Sequence, residues 1–438
     1  MRGRYSDARS YVVMKLQERG LEHWLAANVR EQPLAVILGT SWNALSFARS
    51  LGRHGVPVLL LESSRNIGSY TRYGKVLALP PVDDDPPAWI AILRFVGARL
   101  ADPGVLVPTG DGHALLLSRY EQLLRSCFRF VVPARQTVEQ IVNKRLQYAV
   151  AREAGIPIPR TWFPESAEQV RELSAEPSFP CILKPYTSHI ASRVLGLKVV
   201  VARSAGELVS GYDRLAARGV EAMIQQIVPG GDGALFGYHA FWDGEGRELT
   251  WMTRRKLRQC PPRFGVGSLL VTVDAPEVAD LSRRLLSAVD YRGFVGVEFK
   301  LDATSGNYYL IEINPRAGSA TELAISAGAD LPWIGYRHLT GSDGGAEPTR
   351  AFRPGVKFIN EELDVHAYRA LRKSDGMTIG QWARSIRGTT STAIWARDDP
   401  APFVVFTWRL VRRLWRVIGR SPAARGFRRR ARIVWRRR

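Results

Sequence analysis

The chain has 438 residues and a mass of 48.9 kDa, which at about 150 residues per domain predicts roughly three domains. Apolar residues make up 45% and charged residues 24% of the sequence, which excludes collagenous, wholly disordered and multi-spanning membrane proteins. The formal net charge is +21, but residues 401–438 contribute thirteen arginines and no acidic residue, which leaves only +8 for the rest of the chain.

The number of cysteines and the composition of the first residues indicate the cellular compartment in which the protein is expected. Three cysteines (Cys127, Cys181 and Cys260) are too few for a disulfide framework and their spacing fits no zinc site, so a reducing compartment is expected. The first twenty residues carry charges throughout and lack a signal-peptide core, and no stretch reaches the roughly 18 apolar residues that span a bilayer. We therefore expect a cytoplasmic protein.

The first part of the chain alternates short apolar runs with a turn and a helical pattern. Residues 1–32 predict a helical extension. The apolar runs over 34–38 and 56–61, separated by Gly39 and a helical pattern, predict a strand–helix–strand unit within a parallel sheet. The turn GTSWN lacks the further glycines of a dinucleotide-binding motif, so we interpret it as a tight turn. This Rossmann-like domain is expected to span residues 33–135.

A second unit of helices and strands is predicted over 136–345, followed by a segment over 346–400 that packs on the body. Residues 137–155 have the pattern of one helix that starts at Thr137 as the N-cap. Strands are predicted in FPCILKP (179–185), LKVVVAR (197–203), EAMIQQIVPG (221–230), GALFGYHAFWD (233–243) and ELTWMTRRKL (248–257). The stretch GFVGVEFKLDATSGNYYLIEINPR (293–316) predicts a hairpin.

This hairpin brings two acidic residues together. If ATSGN is a five-residue turn, Asp302 pairs with Tyr308, and the register then places Glu298 opposite Glu312. It also places Gly296 opposite Asn314. Strict alternation in the second strand puts three residues on one face (Tyr309, Ile311, Ile313) and three on the other (Leu310, Glu312, Asn314).

Like charges directly opposite each other destabilise a sheet unless a positive charge compensates them. One interpretation is a hard cation, Mg²⁺ or Mn²⁺, held by oxygen atoms of Glu298, Glu312 and Asn314. The other is that Lys300 and Arg316 neutralise the pair within an ordinary ionic face. The residues alone leave both interpretations open.

Two lysines and the end of one predicted strand are candidates for binding a nucleotide. Lys144 lies in a predicted helix and Lys184 ends a predicted strand, where a lysine either meets phosphate or is simply solvated. The run Ile224–Asp232 passes from a strand into Pro-Gly-Gly, which leaves main-chain groups free. Such an edge either reads an adenine ring or is a plain strand and turn.

Taken together, these residues resemble the ATP-grasp superfamily. Four motifs occur in the family's order, and the resemblance covers residues 34–345: NKRLQYAVAREAGIPIPRTW (143–162), FPCILKP (179–185), MIQQIVPGGD (223–232) and GVEFKLD…YYLIEINPR (296–316). The chain is most similar to carboxylate–amine ligases of the carbamoyl-phosphate-synthase-like and D-aspartate-ligase-like branch. The implied fold is α/β, with a Rossmann-like pre-ATP-grasp domain, a two-lobed α+β ATP-grasp region over 136–345 and a basic C-terminal extension.

The resemblance implies a role for each matched residue. Lys144 and Lys184 match the lysines on the nucleotide phosphates, the segment Gln225, Gln226, Ile227 and Val228 matches the adenine hinge, and Asp232 would approach the ribose. Glu298, Glu312 and Asn314 match the metal ligands, and Arg316 would face the transferred phosphate. Arg258 and Lys256 match positions that bind anionic substrate or phosphate. The family's glycine-rich phosphate loop is missing, since residues 187–198 contain only Gly196, which leaves Ser188, Ser192 and Lys198 as candidate phosphate contacts.

The implied activity is ligation of a small, amino-acid-like carboxylate to an amine through an acyl phosphate. ATP and two Mg²⁺ (or Mn²⁺) ions would be the cofactors, and ADP and phosphate the products. The alternatives are a carbamoyl-phosphate-forming or carboxylating ATP-grasp enzyme, and a non-catalytic nucleotide-binding protein at a membrane surface. His189 and His239 are expected to be structural or solvated rather than catalytic.

The tail 401–438 is a basic amphipathic pattern. Its apolar stripe at helical spacing comprises Phe403, Phe406, Leu410, Leu414 and Val417. Three interpretations stay open: an anionic membrane surface, a helix packed on the body, and a polyanion site. The first would place the protein peripherally at the inner face of the membrane. Nucleic acid is not expected as a partner.

Overall fold

The computed structural model describes residues 19–187, 199–342, 344 and 352–420, with side chains up to residue 413. Residues 19–28 form a helix in the predicted N-terminal extension. The phosphate-loop candidates Ser188, Ser192 and Lys198, and the chain after residue 420, lie outside the described residues. Three β-sheets organise the rest of the chain.

The N-terminal sheet is parallel, with the strand order β3-β2-β1-β4-β5. Its strands are β1 (Ala35–Leu38), β2 (Val58–Glu62), β3 (Lys75–Ala78), β4 (Gly104–Pro108) and β5 (Phe128–Arg129). Its helices are Trp42–Arg53, Pro86–Gly97, Asp111–Arg119 and Glu121–Leu124, with a 3₁₀ helix at Ile67–Tyr70. Because helices cover both faces, β1 and β2 are buried throughout, as their uninterrupted apolar runs predict. The predicted strand–helix–strand unit is confirmed.

A small antiparallel sheet follows, in the order β6-β9-β7-β8. Its strands are β6 (Thr161–Trp162), β7 (Cys181–Pro185), β8 (Val200–Ala202) and β9 (Ala222–Gln226), and two helices accompany them, Ala167–Leu173 and Ala205–Ala216. Serine N-caps start both helices: the hydroxyl of Ser166 accepts from the Gln169 N–H, and that of Ser204 from the Glu207 N–H.

The third sheet has seven strands in the order β14-β13-β10-β11-β12-β15-β16. The strands are β10 (Leu235–Trp242), β11 (Glu248–Cys260), β12 (Val266–Thr272), β13 (Gly293–Leu301), β14 (Tyr308–Asn314), β15 (Lys357–Ile359) and β16 (Ser391–Thr392). The accompanying helices are Pro276–Ala288, Thr321–Ala327, Leu331–Thr340, Glu361–Asp375, Ile379–Ser385 and Ala401–Arg420, with a 3₁₀ helix at Asp232–Ala234. Since β15 and β16 join this sheet, it continues past the boundary predicted at residue 345.

The single helix predicted over 137–155 is wrong, because the structure has two helices there, Arg135–Val142 and Lys144–Glu153. Asn143 lies between them with extended backbone, and its side chain accepts from the N–H groups of Arg145 and Leu146. The Lys144 N–H donates to the Tyr186 carbonyl at 2.9 Å instead of to the preceding helix. The break therefore places Lys144 in the first turn of the second helix, beside the end of β7.

The β13–β14 hairpin has the predicted facing pair, but the register of strand pairing near the turn differs from the prediction. Leu301, not Asp302, pairs with Tyr308, and a bulge at Ile311 restores the register so that Glu298 faces Glu312 and Gly296 faces Asn314. The strict alternation predicted for the second strand is therefore wrong. Leu310 and Ile313 are both buried in the core, whereas Ile311 lines the same cleft as Glu312.

Candidate functional site

A cleft between the small and the large sheet collects most of the predicted site residues. Its empty space, including the part open to solvent, is about 1150 Å³. Eight charged side chains line it, namely Lys184, Arg254, Lys256, Arg263, Lys300, Arg316, Glu298 and Glu312. With six cations and two carboxylates among the described lining residues, the cleft has a formal excess of four positive charges. It is therefore suited to a highly charged anion.

Glu298 lies at the centre of this charge arrangement. Its carboxylate accepts hydrogen bonds from the Arg254 guanidinium and from Lys256 Nζ, the latter at 2.9 Å, and both cations are almost fully buried. Burial alone would raise the pKa of Glu298, but the neighbouring Lys256 and Arg254 outweigh it and hold that pKa well below its usual range. Glu298 is therefore ionised at any physiological pH.

Glu312 has a different cationic neighbour. Lys144 Nζ lies 3.4 Å from its carboxylate, and this lysine is buried whereas Glu312 is partly exposed to the cleft. The neutralisation of the acidic pair therefore comes from Arg254, Lys256 and Lys144. Neutralisation by Lys300 and Arg316 was one of the two interpretations that the sequence left open, and the hydrogen bonds of Arg316 go instead to Asp111, Asn314 and the Ala317 carbonyl.

Arg316 links the two large domains of the chain. Its Nε donates to Asp111 at 2.8 Å, at the start of a helix in the N-terminal domain, and its Nη2 donates to Asn314 Oδ1 at 3.0 Å. The amide oxygen of Asn314 is thereby oriented beside the two carboxylates. Arg316 itself lines the cleft.

Arg254 is a cleft residue that the sequence analysis did not select. Its Nε donates to His239 Nε2 at 3.2 Å, and a Cβ at Gly237 would approach its guanidinium to 2.9 Å, so the glycine leaves it room. Its Nη1 is buried and has no hydrogen-bond partner within the described part of the chain. A buried, unpaired guanidinium N–H is costly, so a ligand that accepts from it would remove that cost.

His239 is buried and lines the cleft behind Arg254. Burial, assisted by the charge of Arg254, lowers its pKa to about 3, so the imidazole is neutral at pH 7. A Cβ at Gly318 would approach the ring to 2.8 Å, which shows how closely the segment after Asn314 packs on it. The structure therefore supports a packing role for His239 and a neutral acceptor for the Arg254 Nε–H.

Lys184 enters the cleft from the end of β7. Its Nζ donates to the Ile311 carbonyl at 2.8 Å and to the Tyr148 hydroxyl at 3.0 Å, and the Tyr148 hydroxyl donates to the same carbonyl. The carbonyl belongs to the residue bulged out of β14. The bulge thus supplies the acceptor that holds the lysine head group at the cleft wall.

The strand end after β9 forms the opposite wall. The side-chain amide of Gln226 pairs with both main-chain groups of Ser178, at 2.9 and 3.0 Å, so its side chain is engaged elsewhere and only its backbone can serve a ligand. Gln225, Ile227 and Val228 also line the cleft. Within the described residues, the N–H groups of Ile227 and Val228 donate to no other group. Apolar residues flank this edge: Pro159, Ile182, Val199 and Leu235.

Three predicted residues do not line this cleft: Lys144, which contacts Glu312 from its buried position, Asp232 and Arg258. Asp232 lines a smaller neighbouring cavity and accepts from the backbone and side chain of Gln259 at 3.1 and 2.8 Å. Arg258 is buried, and its Nη1 donates to both carboxylate oxygens of the fully buried Asp364, at 2.9 and 2.7 Å. A bulge at Leu257 in β11 shifts the alternation after Lys256, which turns Arg258 away and brings Gln259 to the cleft.

The donor set of the facing pair fits a hard divalent cation. Glu298, Glu312 and Asn314 present two carboxylates and one amide oxygen to the same cleft from neighbouring strands. No group of three or more His, Cys, Asp or Glu side chains with metal-site geometry occurs among the described residues. An ion held here would therefore need ligand oxygens from a bound molecule in addition, which is typical of Mg²⁺ bound with a nucleoside phosphate.

Comparisons with known proteins find relatives in sequence and in fold. Residues 241–361 match a family model described as ATP-grasp in the biosynthetic pathway with Ter operon. D-aspartate ligase from Enterococcus faecium is 26% identical over 319 residues, which cover 69% of this chain and 75% of that protein. Among solved structures, L-amino acid ligase from Bacillus licheniformis superposes with a TM-score of 0.56 at 16% identity, covering 73% of this chain and 78% of that one.

A second solved structure contains a nucleotide. The biotin carboxylase domain of 2-oxoglutarate carboxylase from Hydrogenobacter thermophilus, in complex with MgADP and bicarbonate, has a TM-score of 0.57 at 16% identity and covers 74% of this chain and 73% of that one. The chain contains an ATP-grasp domain. The expected fold, an N-terminal Rossmann-like sheet followed by an ATP-grasp region, is confirmed, and the comparisons support an enzyme of the ATP-grasp ligase class.

Proposed function

We propose that this ATP-grasp protein is a ligase that joins a small carboxylate to an amine at the expense of ATP, releasing ADP and phosphate. The observation that carries the proposal is the facing pair Glu298 and Glu312 within a cleft whose lining has an excess of four positive charges. ATP carries about four negative charges at neutral pH, which the cationic side chains of the cleft would compensate, and the two carboxylates would supply oxygen ligands to Mg²⁺.

Carboxylate activation explains why such a site needs no covalent nucleophile. A carboxylate oxygen attacks the γ-phosphorus, the bond between that phosphorus and the ADP oxygen breaks, and an acyl phosphate forms. The amine then attacks the acyl carbon, phosphate leaves, and the amine nitrogen loses a proton. The protein must position the reactants and spread the charge of the transferring phosphoryl group, which cationic side chains and metal ions accomplish.

Residues at one end of the cleft suit the nucleotide. The main chain of Gln225, Gln226, Ile227 and Val228 would read the adenine, between the apolar side chains that flank it. Lys184 and Lys144 would meet the phosphates, and Lys184 is already oriented by the Ile311 carbonyl. Asp232, one cavity further along, would approach the ribose.

Residues at the other end suit the reacting groups. Glu298, Glu312 and Asn314 would hold Mg²⁺ or Mn²⁺ as two ions, and these ions would neutralise charge on the phosphates. Arg316 and Lys256 would then face the transferred phosphate. The unpaired Nη1 of Arg254 supports an anionic ligand at this end, and we add Arg254 to the proposed site in place of Arg258.

The relatives bear on the substrates. Both a D-aspartate ligase and an L-amino acid ligase are among the proteins that this chain resembles, so we propose amino-acid-like carboxylate and amine substrates. The names of these two relatives describe their own substrates. The carboxylate and the amine that this protein joins are to be identified by a substrate assay.

The test measures ADP release from MgATP across a matrix of amino acids and acceptor carboxylates. We expect release only with a productive pair, and added hydroxylamine should trap the acyl phosphate as a hydroxamate. With an ¹⁸O-labelled carboxylate, one labelled oxygen should appear in the released phosphate. Glu312→Ala should lower turnover at least about 100-fold, because a metal ligand is lost.

A matched control is Glu245→Gln, since Glu245 is a strongly exposed acidic residue outside the cleft. It should behave like the unchanged protein. Nucleotide binding without turnover for every pair tested would contradict the proposal and favour the non-catalytic alternative. Phosphate without ¹⁸O would contradict the acyl phosphate even if turnover occurs.

A further inference from the structure

The helix Ala401–Arg420, here called the C-terminal helix, is docked on the body of the protein through one face. Phe406 is only 8% exposed and belongs to the main core cluster, and Phe403 and Leu410 pack against that cluster. These residues belong to the apolar stripe for which the sequence suggested membrane binding as one interpretation. For the described side chains the stripe is covered by the protein itself, so a membrane cannot use it.

Polar contacts fix the docked orientation at both ends of the described part. Just before the helix, the fully buried Asp399 accepts from Arg49 Nε at 3.0 Å and from Thr71 Oγ1 at 2.8 Å. Further along, Arg409 donates to the Tyr70 hydroxyl at 3.3 Å, and Arg413 lies 3.2 Å from His366. Because the helix is held before its first turn and again at residues 409–413, the face opposite the body is determined.

That opposite face is apolar. Val404, Trp408 and Val411 are 60%, 56% and 48% exposed, and their spacing of four and three residues aligns them on one side of the helix. Trp395 is also exposed and lies beside the first turn, with its ring 5.2 Å from that of Phe403. Three of the nine exposed large apolar side chains in the described residues therefore lie on one side of this helix, here called the outer face, and Trp395 lies near the start of the helix. Such clustering marks a docking surface.

The charge of the segment identifies the occupant. Residues 401–438 contain thirteen arginines and no acidic residue, and the guanidinium of Arg412 lies 4.6 Å from the centre of the Trp408 ring. A second copy would bring the same arginines to a self-complementary contact and be repelled. A nucleic acid would leave the exposed valines without a partner. A bilayer with anionic headgroups satisfies both features, because tryptophan and valine enter the headgroup boundary while arginines bind lipid phosphates.

We propose that the outer face of the C-terminal helix docks on an anionic membrane surface. The helix lies in the plane of the interface and does not cross it, in agreement with the absence, among the described residues, of a helix long and apolar enough to span a bilayer. The surface differs from the stripe suggested by the sequence, and it is available while the helix stays docked on the body.

The test is sedimentation of the full-length protein with vesicles of phosphatidylcholine alone and with 3:7 phosphatidylserine to phosphatidylcholine. We expect binding to the anionic vesicles only, weakened by high salt. Trp408→Ser with Val411→Ser should reduce the partition coefficient about tenfold, because two apolar contacts are lost. The matched control is Leu123→Ser with Ile379→Ser, which removes two exposed apolar side chains elsewhere and should leave binding unchanged.

Three outcomes would overturn the proposal. If both double variants bind as tightly as the unchanged protein, the arginines alone attract the vesicles and the outer face has no part in it. If the unchanged protein binds neither vesicle, the surface serves another partner. If light scattering shows a dimer that the Trp408 and Val411 variant converts to a monomer, the outer face is an interface between copies. Circular dichroism of each variant checks that the fold is intact.

Discussion

Replacing Glu298 by glutamine should change stability and nucleotide binding in opposite directions. In the ligand-free protein this carboxylate compensates Arg254 and Lys256, which are buried beside it. Glutamine keeps the shape and one acceptor but removes the charge, so two cations remain in a poorly solvated place. Breaking a buried ion pair costs about 3–5 kcal/mol, and with the residual hydrogen bond we expect a loss of about 3 kcal/mol. That corresponds to a melting temperature lower by about 5 °C.

The same substitution should strengthen binding of ATP in the absence of metal. Removing one negative charge near the phosphates leaves Arg254 and Lys256 to pair with the nucleotide instead of with Glu298. Two charges 4 Å apart interact by about 4 kcal/mol at an effective dielectric constant of 20, so a tenfold gain, about 1.4 kcal/mol, is a conservative expectation. Turnover of MgATP should instead fall at least about 100-fold if Glu298 is a metal ligand, as we propose.

Calorimetric titration with ATP in EDTA, thermal unfolding and the ADP-release assay measure these three quantities. Glu245→Gln again serves as the control, since it removes an exposed charge away from the cleft. If Glu298→Gln binds metal-free ATP no more tightly than the unchanged protein and still turns over MgATP, the carboxylate is not shared between the cations and the metal. The proposed dual role of Glu298 would then be excluded even if the protein is a ligase.

Two further predictions concern buried charges. Arg258→Met should lower the free energy of unfolding by about 3–5 kcal/mol, because it leaves Asp364 charged and buried. Adding Asp364→Leu should recover part of that loss, and neither change should alter the KM for ATP of the folded protein. A changed KM without a change in stability would return Arg258 to the proposed site. Burial lowers the pKa of His239 to about 3 and of His113 to about 4, so unfolding, which restores a pKa near 6.5, takes up protons in acid. The stabilisation from each neutral histidine should therefore be fully present above pH 6.5, and below it the free energy of unfolding should fall by about 1.4 kcal/mol per pH unit for each histidine. In urea titrations from pH 7 to pH 4.5, the free energy of unfolding of His239→Gln should depend less steeply on pH than that of the unchanged protein. An unchanged slope would contradict a neutral, buried imidazole at that position.

Much of the site could be predicted because it depends on pattern rather than on exact geometry. Continuous apolar runs identified the parallel sheet, and the alternation in β13 correctly placed Val295, Val297 and Phe299 in the core and Glu298 in the cleft. The facing of Glu298 and Glu312 was predicted correctly although the turn register was not, because the bulge at Ile311 compensates the one-residue difference. These features need only the periodicity of the backbone and the burial of apolar side chains.

Irregularities of the backbone could not be predicted, and each one moves a functional residue. Asn143 is compatible with a helix interior by sequence, and its side-chain cap together with the main-chain bond from Lys144 to Tyr186 shows that the helix restarts there. The docked stripe of the C-terminal helix depends on the shape of the body beneath Phe406, which the local sequence does not encode. The polarity pattern showed that the helix is amphipathic but not which of its two apolar faces is covered.

The two β-bulges show most clearly how a small backbone change selects the chemistry of the cleft. The bulge at Leu257 removes Arg258 from the face that Arg254 and Lys256 share, so the predicted cation does not line the cleft. The bulge at Ile311 frees a carbonyl that orients Lys184. Deleting Leu257 would make Lys256 and Arg258 consecutive and leave their pairing with Leu270 and Leu269 unchanged, so Arg258 should still point away from the cleft and keep its salt bridge with Asp364. The irregularity in β11 therefore keeps Arg258 out of the cleft, and the irregularity in β14 supplies the carbonyl that fixes the Lys184 head group.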